Sequence, residues 1–329
     1  MTKPRLILVP QLPTAMRYTE WWIRELCTRL QYEYSDIIIL GQKYISSMIF
    51  VCDNEGSFFD ISHSLDFETK QIQEYIELEL KDDDVLLLND ISFPGLFSNV
   101  LYHKRPKKCF AICHGTSKNK FDIFEKDRFS KWQIECGHAE LFDKIFVGSE
   151  YHKHKLGWHG VKVIGMPNPP FKYSYAKNKP KTIDILSVSR QTEQKVDIKI
   201  ENIVEEEFGK IFRKNMTSWD MYFNTLSSAK VLLSTAKEET YGYQIIDCFL
   251  YGNGCVPLAP NQFSYPEILL EDYLYDRHHI YGLIDKIHMV LDGRLKYKSY
   301  DAIEDLPPRN DEMFYEKLIY EMKNIKKNV

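Results

Sequence analysis

The sequence lacks several features that would place it in a common class of protein. Its apolar runs fall well short of the roughly 18 residues that a membrane-spanning helix needs. Because the first residues enter a strand pattern directly, we expect a cytoplasmic protein. The 7 cysteines include no Cys-x-x-Cys pair, which argues against a disulfide framework and a structural zinc site. No Gly-x-Gly-x-x-Gly turn follows a strand, which argues against a dinucleotide-dependent oxidoreductase. The net charge of −4 is too small to indicate a nucleic-acid partner by itself.

What the sequence does have is a regular alternation of strand-like and helix-like segments over 329 residues, a length that favours two domains. Val85–Leu88 is typical of the strands, with branched apolar residues after an acidic turn. Such alternation predicts parallel sheets covered by helices on both faces. We therefore predict an α/β fold of two Rossmann-like, doubly wound domains that face each other across a cleft.

A proline-rich break at 166–170 separates the two series of strands and helices. It predicts an N-terminal domain over residues 1–170, a C-terminal domain over 171–310, and a final helix over 311–329 that can pack back on the N-terminal domain. Within the first domain the pattern predicts a strand at 48–51 and helices over 17–30, 66–80 (capped by Ser64 or Asp66), 94–102 and 131–142.

The segment from Lys237 to Pro257 carries the most chemical information. Glu239 lies in the turn after a strand, and Gly242 lets the backbone approach a ligand closely. The helix that follows presents its first N–H groups, which favour phosphate. Asp247 comes about two helical turns after Glu239, so both carboxylates can face one elongated ligand. The alternative is structural, with Glu239 as a helix-terminal acid and Asp247 on a polar helix face.

This segment resembles the hallmark of the retaining GT-B glycosyltransferases of family 4, which reads Glu-x-Phe-Gly-x-x-x-x-Glu-Ala and continues to a Gly and a short apolar strand. The chain matches it with Glu239-Thr240-Tyr241-Gly242 and later with Val256-Pro257, and has Asp247 where the family has its second Glu. The shorter Asp reduces the reach of that carboxylate by one methylene. The resemblance implies that these residues, from Glu239 to Gly242 with Asp247, bind a nucleotide-sugar donor.

A second segment, from Ile185 to Ile198, has the same family's strand, then Arg190, then Lys195 five residues later. An Arg and a Lys at the carboxyl edge of a sheet can both reach a diphosphate. The family has glycines where this chain has Ser189 and Val196. The two segments occur in the family's order and spacing. Their resemblance implies that Ser189, Arg190 and Lys195 bind the donor and that Arg190, Lys195 and Glu239 act in catalysis.

The N-terminal half resembles the family mainly in architecture. His114, in a polar turn after a buried strand, occupies the position where the family has a His near the transferred sugar. The resemblance implies a catalytic role for His114, and a structural histidine is the alternative. The family's Gly-rich turn after the first strand is missing. We expect the acceptor side to include Arg17, Tyr18, His114 and Thr116.

The resemblance implies transfer of a hexose, with UDP-glucose as the expected donor, to an acceptor hydroxyl with retention. Positive side chains and a helix N-terminus would stabilise the leaving diphosphate, so we expect neither a metal nor a cofactor. Asp82-Asp83-Asp84 is interpreted as a solvated turn. The acceptor is expected to be a cell-surface glycan or, because the opening residues are similar to phage-encoded glycosyltransferases, a hydroxymethylated base in phage DNA.

Two basic clusters, 104–108 and 172–181, are candidates for phosphate contacts in the DNA case and solvated loops otherwise. The alternative to an enzyme is a non-catalytic nucleotide-sugar-binding module of the same fold. The oligomeric state is not predicted.

Overall fold

The computed structural model describes residues 3–14, 16–45, 61–121, 128–168, 179–189, 193, 195–214, 216–298 and 311–324. The chain divides into two compact units, Met1–Pro170 with Arg309–Val329 and Phe171–Pro308. We call them the first and the second unit. Within the described ranges, no helix combines the length and the apolar character that crossing a bilayer requires.

Each unit is built on one parallel sheet. The first sheet has the order β2-β1-β3-β4-β5-β6 and the second the order β10-β9-β8-β7. The strands of the first sheet are β1 (Arg5–Val9), β2 (Asp36–Ile39), β3 (Val85–Leu88), β4 (Lys108–Ile112), β5 (Lys144–Val147) and β6 (Val161–Val163). The strands of the second are β7 (Ile183–Leu186), β8 (Ala229–Leu233), β9 (Val256–Pro260) and β10 (Leu274–Tyr275). The predicted parallel α/β class is confirmed.

Helices connect the strands and cover the sheets. In chain order they are α1 (Tyr18–Leu30), α2 (Gln42–Ile45), α3 (Ile61–Glu77), α4 (Phe97–Val100), α5 (Arg128–Ala139), α6 (Glu150–Leu156), α7 (Ile198–Phe208), α8 (Trp219–Ser227), α9 (Tyr243–Tyr251), α10 (Ile280–Leu291) and α11 (Asp311–Lys323). Every residue of β3 is buried, as expected of a strand covered on both faces.

The last helix, α11, lies on the first unit. Its Phe314 ring packs 6.3 Å from the ring of Trp22 on α1. At its other end the Lys144 Nζ atom donates to the backbone carbonyls of Glu321 (2.7 Å) and Asn324 (2.8 Å). A cation at the carboxyl end of a helix is favourable because the last carbonyls carry partial negative charge. Aromatic packing and this charged cap therefore hold the final helix on the unit that begins the chain.

Several helix boundaries differ from the sequence prediction. The helix predicted over 131–142 is Arg128–Ala139, and the start of another helix has a clear local cause. The helix predicted from Pro94 begins only at Phe97, because the buried carboxylate of Glu68 accepts the backbone N–H groups of Leu96 (2.9 Å) and Phe97 (2.7 Å) and so caps it from outside. The predicted caps Ser64 and Asp66 lie inside α3, which begins at Ile61. The strand predicted at 48–51 lies outside the described residues.

Candidate active site

The second sheet reverses its strand order beside β7, which pairs with β8 on one side and forms a parallel bridge through Leu186 to Phe212 on the other. Ligands of doubly wound sheets bind outside the carboxyl ends of strands at such a point. There the ammonium of Lys195 lies 2.6 Å from Oε2 of Glu239, with the side chains 17% and 12% exposed. The structure thus joins two predicted catalytic residues in one largely desolvated ion pair.

The second carboxylate oxygen of Glu239 faces the backbone. Its Oε1 accepts the N–H groups of Thr240 (3.1 Å) and Tyr241 (3.3 Å). Burial alone would raise the pKa of Glu239, but Lys195 and the backbone donors of Tyr241 and Gly242 outweigh it and lower that pKa. Glu239 is therefore a carboxylate at neutral pH, held on both oxygens.

Gly242 ends this turn and begins α9 in a conformation that other residues rarely adopt, with φ of +95°. A Cβ atom there would lie 2.8 Å from Cδ1 of Ile268, so a larger residue would also displace a buried neighbour. One residue into α9, Gln244 accepts the hydroxyl of Ser189 (3.1 Å) and donates to Ser234 (3.1 Å). The donor residues predicted from the two sequence segments are thus linked by hydrogen bonds at one edge of the sheet.

Asp247 lies farther along α9 and is 5% exposed. Its Oδ2 accepts the hydroxyl of Tyr222 on α8 at 2.9 Å, while Oδ1 has no hydrogen-bond partner among the described residues. Burial raises the pKa of Asp247 to about 7, although the Tyr222 hydrogen bond opposes the shift. Asp247 therefore faces α8, and its Oδ2 atom is already hydrogen-bonded to Tyr222.

Sequence reasoning missed a second ion pair at this edge. Arg277, which follows β10, donates from Nη2 to Oδ2 of Asp197 at 2.5 Å, with the side chains 15% and 16% exposed. Asp197 comes two residues after Lys195 and caps α7 by accepting the N–H of Lys199. The order of strands brings Arg277 here, and no local motif signals it. Arg190 lies outside the described residues.

The first sheet reverses its order between β1 and β3, which are adjacent although β2 lies between them in the chain. A hydrogen bond spans the carboxyl ends of these strands, from Nε2 of Gln11 to Oδ2 of Asp90 at 2.5 Å. The Tyr18 hydroxyl donates to Oε1 of Gln11 at 2.8 Å. Burial raises the pKa of Asp90 well above its ordinary range. Both Gln11 and Asp90 were missed, although polar residues directly after buried strands were the available signal.

His114 follows β4 at the same edge. Its Nε2 lies 2.9 Å from the carbonyl oxygen of Asn89, which can only accept, so Nε2 carries the proton. The ring packs 4.8 Å from that of Tyr18 and 5.1 Å, edge to face, from that of Trp22. Burial lowers the pKa of His114 to about 3, so the imidazole is neutral at physiological pH. His114 can therefore orient a polar ligand but does not present a positive charge.

Of the other predicted acceptor residues, one lies beside Tyr18 and one is buried in a turn. Arg17 immediately precedes α1, next to Tyr18. Thr116 is fully buried, and its hydroxyl accepts the N–H of Lys118 within the turn. That contact gives Thr116 a structural role in shaping the loop after His114.

One lysine from each of the two basic clusters caps helices. The Lys104 ammonium donates to the carbonyls of Tyr75, Ile76 and Leu78, at the end of α3. Lys181 donates to the carbonyls of Ser227 and Gly252, at the ends of α8 and α9. Both lysines precede a strand, so they lie at the amino edges of the sheets, opposite the edges that hold His114 and Glu239. Residues 172–178 of the second cluster lie outside the described residues.

Comparison with known proteins gives a sequence relative and several structural ones. No protein-family model matches the chain. A Drosophila melanogaster protein, tRNA-queuosine alpha-mannosyltransferase, is 29% identical over 119 residues, which are 32% of this chain. The match spans 31% of the length of that relative.

Two solved structures are similar over nearly the whole chain. An alpha,alpha-trehalose-phosphate synthase (UDP-forming) from Burkholderia xenovorans superposes with a TM-score of 0.63 at 10% identity, covering 98% of this chain and 100% of that one. The lipopolysaccharide outer core galactosyltransferase WaaB gives 0.62 at 13% identity, covering 97% and 99%. At such identities the likeness concerns architecture. With two parallel α/β units that match these structures throughout, the chain has the GT-B fold.

Proposed function

We propose that the chain is a glycosyltransferase that moves a hexose from a nucleotide-sugar, with UDP-glucose as the donor, to an acceptor hydroxyl with retention. One observation carries the proposal, namely the desolvated Lys195–Glu239 pair beside the start of α9 in a GT-B fold. The sequence relative and the structural neighbours, two of them named as hexosyltransferases, support the same class.

In this proposal the second unit binds the donor. An ammonium has three N–H donors, so Lys195 can keep its bond to Glu239 and still contact a phosphate oxygen. The N–H groups at the start of α9 add partial positive charge, and Arg190 would add a full one. These groups stabilise the charge that develops on the leaving diphosphate and take the place of a metal. Glu239, kept ionised by its neighbours, accepts hydrogen bonds from sugar hydroxyls.

The first unit would hold the sugar and its acceptor. His114 is neutral and carries its proton on Nε2, so its Nδ1 is the nitrogen that can accept a hydrogen bond from a sugar hydroxyl. Gln11, Tyr18 and Asp90 form a polar group at the same edge of the sheet. Hydroxyl-rich ligands suit such closely spaced polar donors and acceptors.

Two acceptor classes remain in the proposal, a glycan and a modified base in nucleic acid such as hydroxymethylated phage DNA. The name of the fly relative favours the second, because queuosine is a modified nucleoside within tRNA. The helix-capping roles of Lys104 and Lys181 give no support to phosphate contacts there. Binding to DNA and to tRNA across a salt series would separate the classes, since a nucleic-acid acceptor predicts salt-sensitive binding.

A non-catalytic nucleotide-sugar-binding module is the alternative, and one observation favours it. The Asp247 carboxyl group, expected to contact the donor, is buried against α8 and accepts the Tyr222 hydroxyl on one of its oxygens. Slow hydrolysis of the bound donor in the absence of an acceptor would exclude this alternative.

The proposal is tested first by a thermal-shift screen of UDP-, GDP-, ADP- and CMP-sugars, in which a specific donor raises the melting temperature. Donor hydrolysis is then compared for the wild type, Lys195→Ala and Lys230→Ala. Lys230 forms an exposed ion pair with Asp184 across β7 and β8, so its removal controls for loss of charge. If no sugar nucleotide shifts the transition, the proposed function is wrong.

A further inference from the structure

Arg277 and Asp197 lie beside the proposed donor site but have no place in the function above. Arg277 follows the last strand of the second sheet, and its Nη2 contacts Asp197 at 2.5 Å. Asp197 is itself fixed in two further ways, because its N–H donates to Oγ1 of Thr235 (3.1 Å) and its Oδ1 accepts the N–H of Lys199 (3.2 Å). One nitrogen of the guanidinium is thus bound to the segment that carries Lys195.

Tyr265 connects this ion pair to the Lys195–Glu239 pair. Burial raises the pKa of Tyr265, the charge of Glu239 raises it further, and the charge of Arg277 lowers it. The Tyr265 hydroxyl, which lies 2.7 Å from Oγ of Ser234, is therefore within electrostatic range of both.

Comparison with a structural arginine of the same unit shows that few of the N–H donors of Arg277 are paired with residues that the structure describes. Arg213 donates from Nε and Nη2 to Glu201 and from Nη1 to Glu205, so two carboxylates use three of its nitrogens. Arg277 has the same five N–H donors, and among the described residues only Asp197 accepts one of them. Its remaining donors lie in a partly exposed guanidinium at the edge where an anion is expected.

We propose that Arg277 is a further cation for the diphosphate of the donor, besides Lys195 and Arg190, and that Asp197 is its counter-ion in the unliganded protein. The inference rests on the proposed function. A planar guanidinium matches phosphate oxygens through paired N–H donors, which an ammonium cannot do. Lys195 would supply a point charge and Arg277 a directional contact.

The competing account is that Arg277 merely positions Asp197 and, through it, Lys195. The two accounts predict opposite effects for Asp197→Asn. Asn is as good a helix N-cap as Asp, so α7 keeps its start while the counter-ion is removed. If Arg277 binds the diphosphate, freeing it from Asp197 strengthens binding. If Arg277 only positions Asp197, breaking their ion pair weakens binding.

The experiment is isothermal titration with UDP, and with GDP or ADP if UDP does not bind, for the wild type, Arg277→Gln, Arg277→Lys and Asp197→Asn. Loss of a charge-assisted contact predicts roughly 10–100-fold weaker binding for Arg277→Gln. Arg277→Lys should recover part of this loss, and Asp197→Asn should bind more tightly than the wild type. Arg294→Gln, which breaks an exposed ion pair with Asp292, is the matched control and should not change affinity.

Unchanged affinity in Arg277→Gln, or unchanged or weaker affinity in Asp197→Asn, would overturn the assignment of Arg277. Circular dichroism of each variant verifies that it is folded, and Asp197→Asn decides the matter if Arg277→Gln does not fold. Failure of the wild type to bind any of the three nucleotides would overturn the proposed function itself, and this inference with it.

Discussion

The groups at the carboxyl edges of the two sheets differ in their electrostatics. In the first unit, burial keeps the His114 ring neutral and raises the pKa of Asp90, and Gln11 and Tyr18 add uncharged polar side chains. In the second unit, two ion pairs occupy the edge and the pKa of Glu239 is lowered. One backbone plan thus offers a buried, hydrogen-bonded polar edge suited to a polyol and an ion-paired edge suited to a phosphorylated ligand. The difference comes from which side chains follow the strands, because the strand arrangement is similar in both.

The largest effect is expected from Lys195→Ala, which removes the cation of the charged edge. Loss of one group that stabilises the transition state typically costs about 2.7–4 kcal/mol, or a 10²–10³-fold fall in kcat. Donor hydrolysis and transfer rates measure this. Lys230→Ala should retain the wild-type rate. Unchanged turnover in Lys195→Ala would show that the ion-paired edge of the second sheet takes no part in the mechanism.

The next effect concerns pH and the second unit. The folded pKa of Asp247 is about 7, well above the roughly 3.9 of an unfolded chain. The stability that protonated Asp247 contributes is fully present below the pKa of the unfolded chain. It is lost as the pH rises through the folded pKa of about 7. Between pH 5 and 7 this lowers the free energy of unfolding of the second unit by up to about 3 kcal/mol. Hydrogen exchange of β8 and β9 amides should show the decrease in the wild type but not in Asp247→Asn.

The contribution of His152, a buried residue of the first unit, is expected to respond to pH with the opposite sign. Burial, with smaller contributions from Lys155 and His114, lowers the pKa of His152 to about 3. Its stabilising contribution is present above the unfolded pKa and is lost as the pH falls. From pH 6.5 to 5 the decrease is up to about 2 kcal/mol for this histidine.

Exchange of β4 and β5 amides tests that expectation, with His152→Gln flattening the pH dependence. Asp247→Asn serves as the control, because it should leave the acid response of the first unit intact. An unchanged loss of protection at acid pH in His152→Gln would contradict the contribution assigned to His152.

The smallest effect is expected at the amino edge of the first sheet. Lys104→Met removes the charged cap of α3 and should lower stability by about 1 kcal/mol. Lys107→Met, at an exposed neighbouring lysine, should change it by less than about 0.5 kcal/mol. If Lys104 acts only as a cap, the salt dependence of nucleic-acid binding should be the same for both variants. If the dependence of nucleic-acid binding on salt concentration is weaker in Lys104→Met alone, the 104–108 cluster takes part in acceptor binding.

The parts of the molecule that follow from local sequence could be predicted. Strands such as Val85–Leu88, and the residues directly after them, depend on apolar patterning and strand direction. Lys195 and Glu239 each belong to a local motif after a strand, and adjacent parallel strands bring such positions together. The fold class followed from the same alternation and is confirmed by the structure.

What could not be predicted depends on neighbours distant in the chain. The Gln11–Asp90 bond requires β1 to lie beside β3, and the Arg277–Asp197 pair requires the position of the loop after β10. The partner of Asp247 is likewise set by the packing of α8 against α9. In each case the residue type is visible in the sequence, but its partner is chosen by tertiary structure.

The most direct test of the central claim is hydrogen–deuterium exchange with and without UDP-glucose. The account predicts that the donor protects the amides of Thr240, Tyr241 and Gly242 and those at the start of α7, and that Lys195→Ala abolishes this protection. Protection confined to the first unit, or equal protection in Lys195→Ala, would contradict a diphosphate site built on the Lys195–Glu239 pair.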